Sequence, residues 1–180
     1  MGNSPCHLSV DATGNHVLVA NYGGGSVLSL PIQPDGGLTR HTFLSQHTGG
    51  SRNPARQKDP HAHSVNLSPD NRFAYVADLG TDRIHAYVFE SARGLTAAKP
   101  HLDTRLMPGS GPRHFAFSPD GHHAYVINEM LCTVIAFRHD PTTGRLSEVG
   151  SVPTVPAGTD MTGVSTAEVR VHPSGKFVFG

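Results

Sequence analysis

The chain has 180 residues, and 14 Lys and Arg balance 14 Asp and Glu, so its formal net charge is zero with His neutral. No basic run exceeds two residues, which argues against nucleic acid or an anionic membrane as a partner. No apolar stretch approaches the roughly 18 residues of a membrane-spanning helix, and 20 Gly and 14 Pro interrupt the chain too often for long helices.

The elements recur in chain order. A short alternating run, Leu8-Ser9-Val10, meets the turn Asp11-Ala12-Thr13-Gly14. A second strand over 16–20 follows, then a polar link over 22–25 and a third strand over 26–30. The turn Asp35-Gly36-Gly37 then leads to a weaker fourth strand. The same order returns with Val65-Asn66-Leu67, the turn Ser68-Pro69-Asp70-Asn71, and strands over 73–77 and 83–89. It returns again with Phe115-Ala116-Phe117, Ser118-Pro119-Asp120-Gly121, and strands over 124–127 and 133–137. A fourth copy begins with Val169-Arg170-Val171, the turn His172-Pro173-Ser174-Gly175 and a strand over 177–179. Gly14, Asn71, Gly121 and Gly175 are spaced by 57, 50 and 54 residues. A period of that length marks a repeat architecture. Four up-and-down strands per period, each of alternating pattern with one face expected to be buried, predict an all-β chain of four-stranded antiparallel β-propeller blades. The blades are placed at about 4–52, 61–108, 112–160 and 166–180, roughly three and a third in all, so the chain reads as part of a larger propeller.

Candidate chemistry sits at repeat-equivalent places. The segment 46–60 is long for a connection and carries Arg52, Arg56 and Lys58. It reads either as a solvated surface loop or as the support that leans Arg56 over the propeller mouth to hold an anion. His61 and His63 alternate along a strand, but with no third ligand at a recognised spacing they make a poor metal site, and no metal is assigned. His63 and Arg113 each precede the innermost strand of a blade, where a side chain faces the central channel; Cys6 holds the same place in the first copy. Glu129 ends the second strand of the blade that carries Arg113. A carboxylate near an Arg and a His is the equipment for proton transfer beside an anion-stabilising group. The plainer reading of the same residues is strand capping and a surface ion pair. Asn21, Asp78 and Asp82 are expected to tie blade turns to the backbone. Cys6 and Cys132, in different blades at non-equivalent positions, read as reduced thiols of a cytoplasmic protein. No charged-then-apolar leader precedes the first strand.

Several of these stretches resemble the lactonase family of seven-bladed β-propellers, which includes propeller-type 6-phosphogluconolactonases and carboxymuconate-lactonizing cyclases. They are Ala20-Asn21-Tyr22-Gly23, Arg56-Gln57, Pro60-His61-Ala62-His63-Ser64, Asp78-Leu79-Gly80-Thr81-Asp82, Gly109-Ser110-Gly111-Pro112-Arg113-His114 and Asn128-Glu129. The resemblance implies an intact protein of seven blades. It also implies a catalytic group in which His63, Arg113 and Glu129 match three members, with a second Arg falling past residue 180. Arg56, His61 and His114 are expected to bind substrate. The implied partner is a small sugar lactone phosphate, hydrolysed without a cofactor. The alternatives are a carboxymuconate-type cyclase and a non-catalytic propeller that binds a sugar or protein.

Overall fold

The computed structural model describes residues 2–180 and is built of antiparallel sheets in sequence order. The first blade comprises β1 (Pro5–Val10), β2 (His16–Asn21), β3 (Ser26–Pro31) and β4 (Phe43–Gln46). The second comprises β5 (Ala62–Leu67), β6 (Phe73–Asp78), β7 (Arg83–Glu90), β8 (Gly94–Ala98) and β9 (Thr104–Arg105). The third comprises β10 (Pro112–Phe117), β11 (His123–Asn128), β12 (Thr133–Asp140) and β13 (Arg145–Pro153). β14 (Arg170–Val171) and β15 (Val178–Phe179) form a two-stranded sheet after them. The innermost strands β1, β5, β10 and β14 contact one another in that order, so the sheets are arranged radially about a shared axis. No helix among the described residues is long and apolar enough to cross a membrane.

Backbone geometry explains the periodic turn. Gly14, Asn71, Gly121 and Gly175 have φ of 73°, 58°, 72° and 71°. A left-handed residue closes each hairpin, and Gly and Asn tolerate that region best. A second left-handed position recurs at the end of the next link, with φ of 56° at Gly25, 52° at Asp82 and 49° at Cys132. At Gly25 a side chain is also excluded by space, because a Cβ would lie 2.6 Å from the carbonyl oxygen of Pro60. The Tyr22–Gly25 link is thereby packed directly onto the start of the second blade.

The core lies between successive blades. Leu18, Ala20 and Val27 of the first blade pack against Val65, Ala74, Val76, Tyr87 and Phe89 of the second. On the other face of the second blade, Phe73, Tyr75, Ile84 and Ala86 pack against Phe115, Ala124, Val126, Ile135 and Phe137. Alternation along β6 therefore separates two buried interfaces, and every residue of β6 is buried. The expectation of one buried face per strand fails for this blade, because a sheet flanked by sheets has no solvent face. The single weak fourth strand expected here is also divided. β8 pairs with the end of β7 and β9 with its start, separated by a 3₁₀ turn at Pro100–Leu102. Pro100 lacks the N–H that a continuous ladder would use.

Candidate active site

The same irregularity occurs where each innermost strand begins. β1 pairs with β2 at Pro5 and Asn21 and then at His7 and Ala20, leaving Cys6 unpaired. β5 pairs with β6 at Ala62 and Asp78 and then at Ser64 and Ala77, leaving His63 unpaired. β10 pairs with β11 at Pro112 and Asn128 and then at His114 and Ile127, leaving Arg113 unpaired. A β-bulge re-aims the side chain of its extra residue, so each blade offers one bulged side chain at the same end of the channel. The residue just after the second strand forms a companion position, held by Tyr22, Leu79 and Glu129. Their amides donate to the carbonyls of Ser4, His61 and Gly111 in turn.

These two positions place His63, Arg113 and Glu129, and Arg56 from the preceding loop, His61 before β5 and His114 of β10 join them in one connected cluster. Glu129 Oε1 accepts from Arg56 Nη2 at 2.7 Å, and Glu129 Oε2 lies 3.2 Å from Arg113 Nε. Arg113 Nη1 donates to the carbonyl of Ala167 at 2.7 Å. Arg56 Nη2 also reaches the Tyr22 hydroxyl at 3.5 Å. The Tyr22 ring stacks on His61 at 4.4 Å between centroids and meets His63 edge-on at 5.4 Å. His63 in turn lies 5.4 Å from His114, whose Nδ1 is 2.9 Å from Glu168 Oε1.

The loop carrying Arg56 is folded rather than loose. The Asn53 side chain accepts from the amides of Ala55 and Arg56, and fully buried Gln57 donates to the carbonyl of Leu79 at 2.8 Å. This anchorage holds Arg56 against Glu129 at the channel mouth. Its hydrogen bond to Tyr22 and its contacts with Glu129 raise its already high pKa, so it is cationic throughout.

Electrostatics divide the histidines from the arginines. Burial, the charge of Arg113 and the nearby His114 push the pKa of His63 down to about 4. Burial and the neighbouring His114 likewise lower His7 to about 4. His114 is also lowered, chiefly by burial, against the pull of Glu168. Arg56, Arg113 and Arg170 face the carboxylates of Glu129 and Glu168, beside His63 and His114 whose burial favours the neutral imidazole, so the cluster holds one more cation than carboxylates. It is suited to an anion, with a neutral imidazole beside it that can accept a proton.

A pH prediction follows. His7 and His63 remain unprotonated in the fold until about pH 4, whereas in the unfolded chain they take protons near 6.5. Their contribution to stability is therefore complete above pH 6.5 and is lost as pH falls toward 4. The groups facing them are Arg113, His114, Glu129, Glu168 and Arg170, and His114, itself lowered chiefly by burial, adds to the same loss. Urea midpoints should drop between pH 7 and pH 5, and the drop should shrink in a His7→Gln/His63→Gln variant. An equal drop in that variant would reject these two groups as the cause.

The sequence reading missed Tyr22 as a member of this cluster, although the alignment that pairs Asn21 with Asp78 also pairs Tyr22 with Glu129. His61 and His63 flank the Tyr22 ring, and His61 Nδ1 is engaged by the carbonyl of Tyr22 at 3.0 Å. A different set, His47, Asp78 and His85, has potential ligand atoms within 4.8 Å of one another. Those groups are already committed to hydrogen bonds with Tyr87, with the His61 and Thr81 amides, and with Asp103.

A family model described as "Lactonase, 7-bladed beta-propeller" matches residues 1–180. A 6-phosphogluconolactonase of Bacillus subtilis is 37% identical over 99% of this chain and 49% of its own length. A 6-phosphogluconolactonase of Pectobacterium carotovorum is 32% identical over 98% of this chain and 49% of its own. The solved structure of a periplasmic gluconolactonase of Pseudomonas aeruginosa is 33% identical and superposes with a TM-score of 0.88, covering 99% of this chain and 50% of that one. The chain thus spans about half the length of the curated relatives it matches.

Proposed function

This chain belongs to the lactonase family of seven-bladed β-propellers, and from that premise we propose that the protein hydrolyses a sugar lactone, 6-phospho-D-glucono-1,5-lactone, to 6-phosphogluconate. The observation that carries the reading is the joining of Arg56, Glu129 and Arg113 beside neutral, buried His63 at the bulged channel mouth. Relatives named 6-phosphogluconolactonase support the substrate class. That substrate belongs to sugar-phosphate metabolism, which favours the cytoplasm.

Water attacks the lactone carbonyl, and negative charge grows on its oxygen. Arg113, fixed through Nε and Nη1, presents its remaining N–H groups to that oxygen. His63 accepts the proton of the attacking water and returns one to the ring oxygen as the carbon–oxygen bond breaks. Glu129 holds both guanidinium groups at a set separation, and His61 and His114 line the sugar. No metal or organic cofactor takes part in this route.

The test is acid release by the full-length protein from the phosphorylated lactone, measured above the spontaneous rate at constant pH, with a carboxymuconate substrate in parallel. Acceleration of the lactone alone supports the proposal. Conversion of the muconate alone assigns a cyclase, and inactivity on both assigns a binding module.

A further inference from the structure

Glu129 and Tyr22 occupy the same repeat position in different blades, and both contact one guanidinium, that of Arg56. Tyr22 is held from several sides. Its amide donates to the carbonyl of Ser4 at 2.9 Å, its carbonyl accepts from His61 Nδ1 at 3.0 Å, and its ring stacks on the same imidazole at an interplanar angle of 12°. The phenol is therefore aimed rather than free. Its oxygen accepts from Arg56 Nη2, which leaves the hydroxyl proton available to a ligand. Among the described residues Arg56 has partners only at Nη2, so Nε and Nη1 are uncommitted to them. The two arginines differ in depth, with side chains 45% exposed at Arg56 and 25% at Arg113. The deeper one is tied at two nitrogens, and the outer one offers a fork to an anion at the rim.

We propose that Tyr22 and Arg56 form the subsite that reads the distal phosphate of the substrate, with Tyr22 a specificity-determining residue for phosphorylated over unphosphorylated lactones. The proposal rests on the lactonase reading and adds a division of labour to it. The phosphate takes paired N–H groups from Arg56 and one O–H from Tyr22, while Arg113 faces the carbonyl.

The readout is the ratio of kcat/KM for 6-phosphogluconolactone to that for unphosphorylated gluconolactone, in the full-length protein. Tyr22→Phe retains the stacked ring and removes only the hydroxyl; Arg56→Gln removes the charge. Each should lower the ratio about tenfold or more, the usual loss for a hydrogen bond to a charged group. Arg113→Ala should slow both substrates and leave the ratio within about threefold. An unchanged ratio in Tyr22→Phe and Arg56→Gln, or an equal fall in Arg113→Ala, overturns the assignment. Calorimetric binding of 6-phosphogluconate against gluconate reads the same preference without turnover. Equal affinities in the unaltered protein overturn the subsite. A preference that is present and lost in Tyr22→Phe, with no lactone hydrolysed, upholds the subsite and refutes the lactonase reading instead.

Discussion

Replacing Arg113 with Ala is expected to lower kcat on the phosphorylated lactone by roughly 10²–10³-fold, the scale for removing one donor from a developing oxyanion. The loss should fall on turnover more than on KM, because charge on the carbonyl oxygen exists only near the transition state. Arg113→Lys should recover little. An ammonium cannot bridge Glu129 and the Ala167 carbonyl while still presenting a planar pair of N–H groups. The fold should tolerate both changes, since the side chain is partly solvated and its ion pair with Glu129 is only one of two that Glu129 makes. Single-turnover and steady-state rates of the variant decide it. Activity within about fivefold of the unaltered protein would remove Arg113 from the chemistry.

The largest stability effect is expected at Asp78, which is fully buried. Oδ1 accepts from the amides of His61 and Thr81 at 2.9 and 3.0 Å, and Oδ2 lies 2.5 Å from His47 Nδ1. His47 Nε2 is 2.8 Å from the Tyr87 hydroxyl, so one network joins the end of the first blade to two strands of the second. Burial opposes ionisation of Asp78, but the hydrogen bonds it accepts from His47 and from the amide of His61 outweigh it and hold the carboxyl below its ordinary value. Burial likewise keeps His47 below its ordinary pKa against the pull of Asp78, so a neutral imidazole faces a carboxylate. Asp78→Ala strands two backbone donors and this imidazole, and should cost about 3–5 kcal/mol. Asp78→Asn should cost about 1 kcal/mol, because an amide oxygen can still serve the two N–H groups. Blades one and three already carry Asn21 and Asn128 at the equivalent place. Chemical denaturation of the two variants is the check, and equal losses in both would contradict the account.

The blade order was legible because turn chemistry and strand pattern are local. Gly14, Asn71, Gly121 and Gly175 mark left-handed positions that few residues tolerate, so they announce the hairpins directly. The site was legible in part for the same reason. Once the copies are aligned on those turns, His63 and Arg113 fall in register with Cys6. The bulge was not legible, since an unpaired residue has no composition of its own. Tyr22 was passed over because an aromatic residue in a glycine-rich link reads as turn filler until His61 is seen stacked on it. The His47–Asp78–Tyr87 network joins residues 31 and 40 positions apart, and no local pattern reports such a contact. The split outer strand of the second blade follows from Pro100, whose effect on the ladder depends on which face the missing N–H would have served.

The recurring bulge has a consequence for how such a scaffold diversifies. One backbone shape seats a thiol at Cys6, an imidazole at His63 and a guanidinium at Arg113, and the ladders on either side keep their pairing in all three cases. The site works as a rack with one interchangeable tool per slot. New chemistry can be installed by residue exchange at these addresses and at those of Tyr22 and Glu129, with the strand ladders of the wedges kept; Leu79, the companion of the second blade, is fully buried and serves the packing instead.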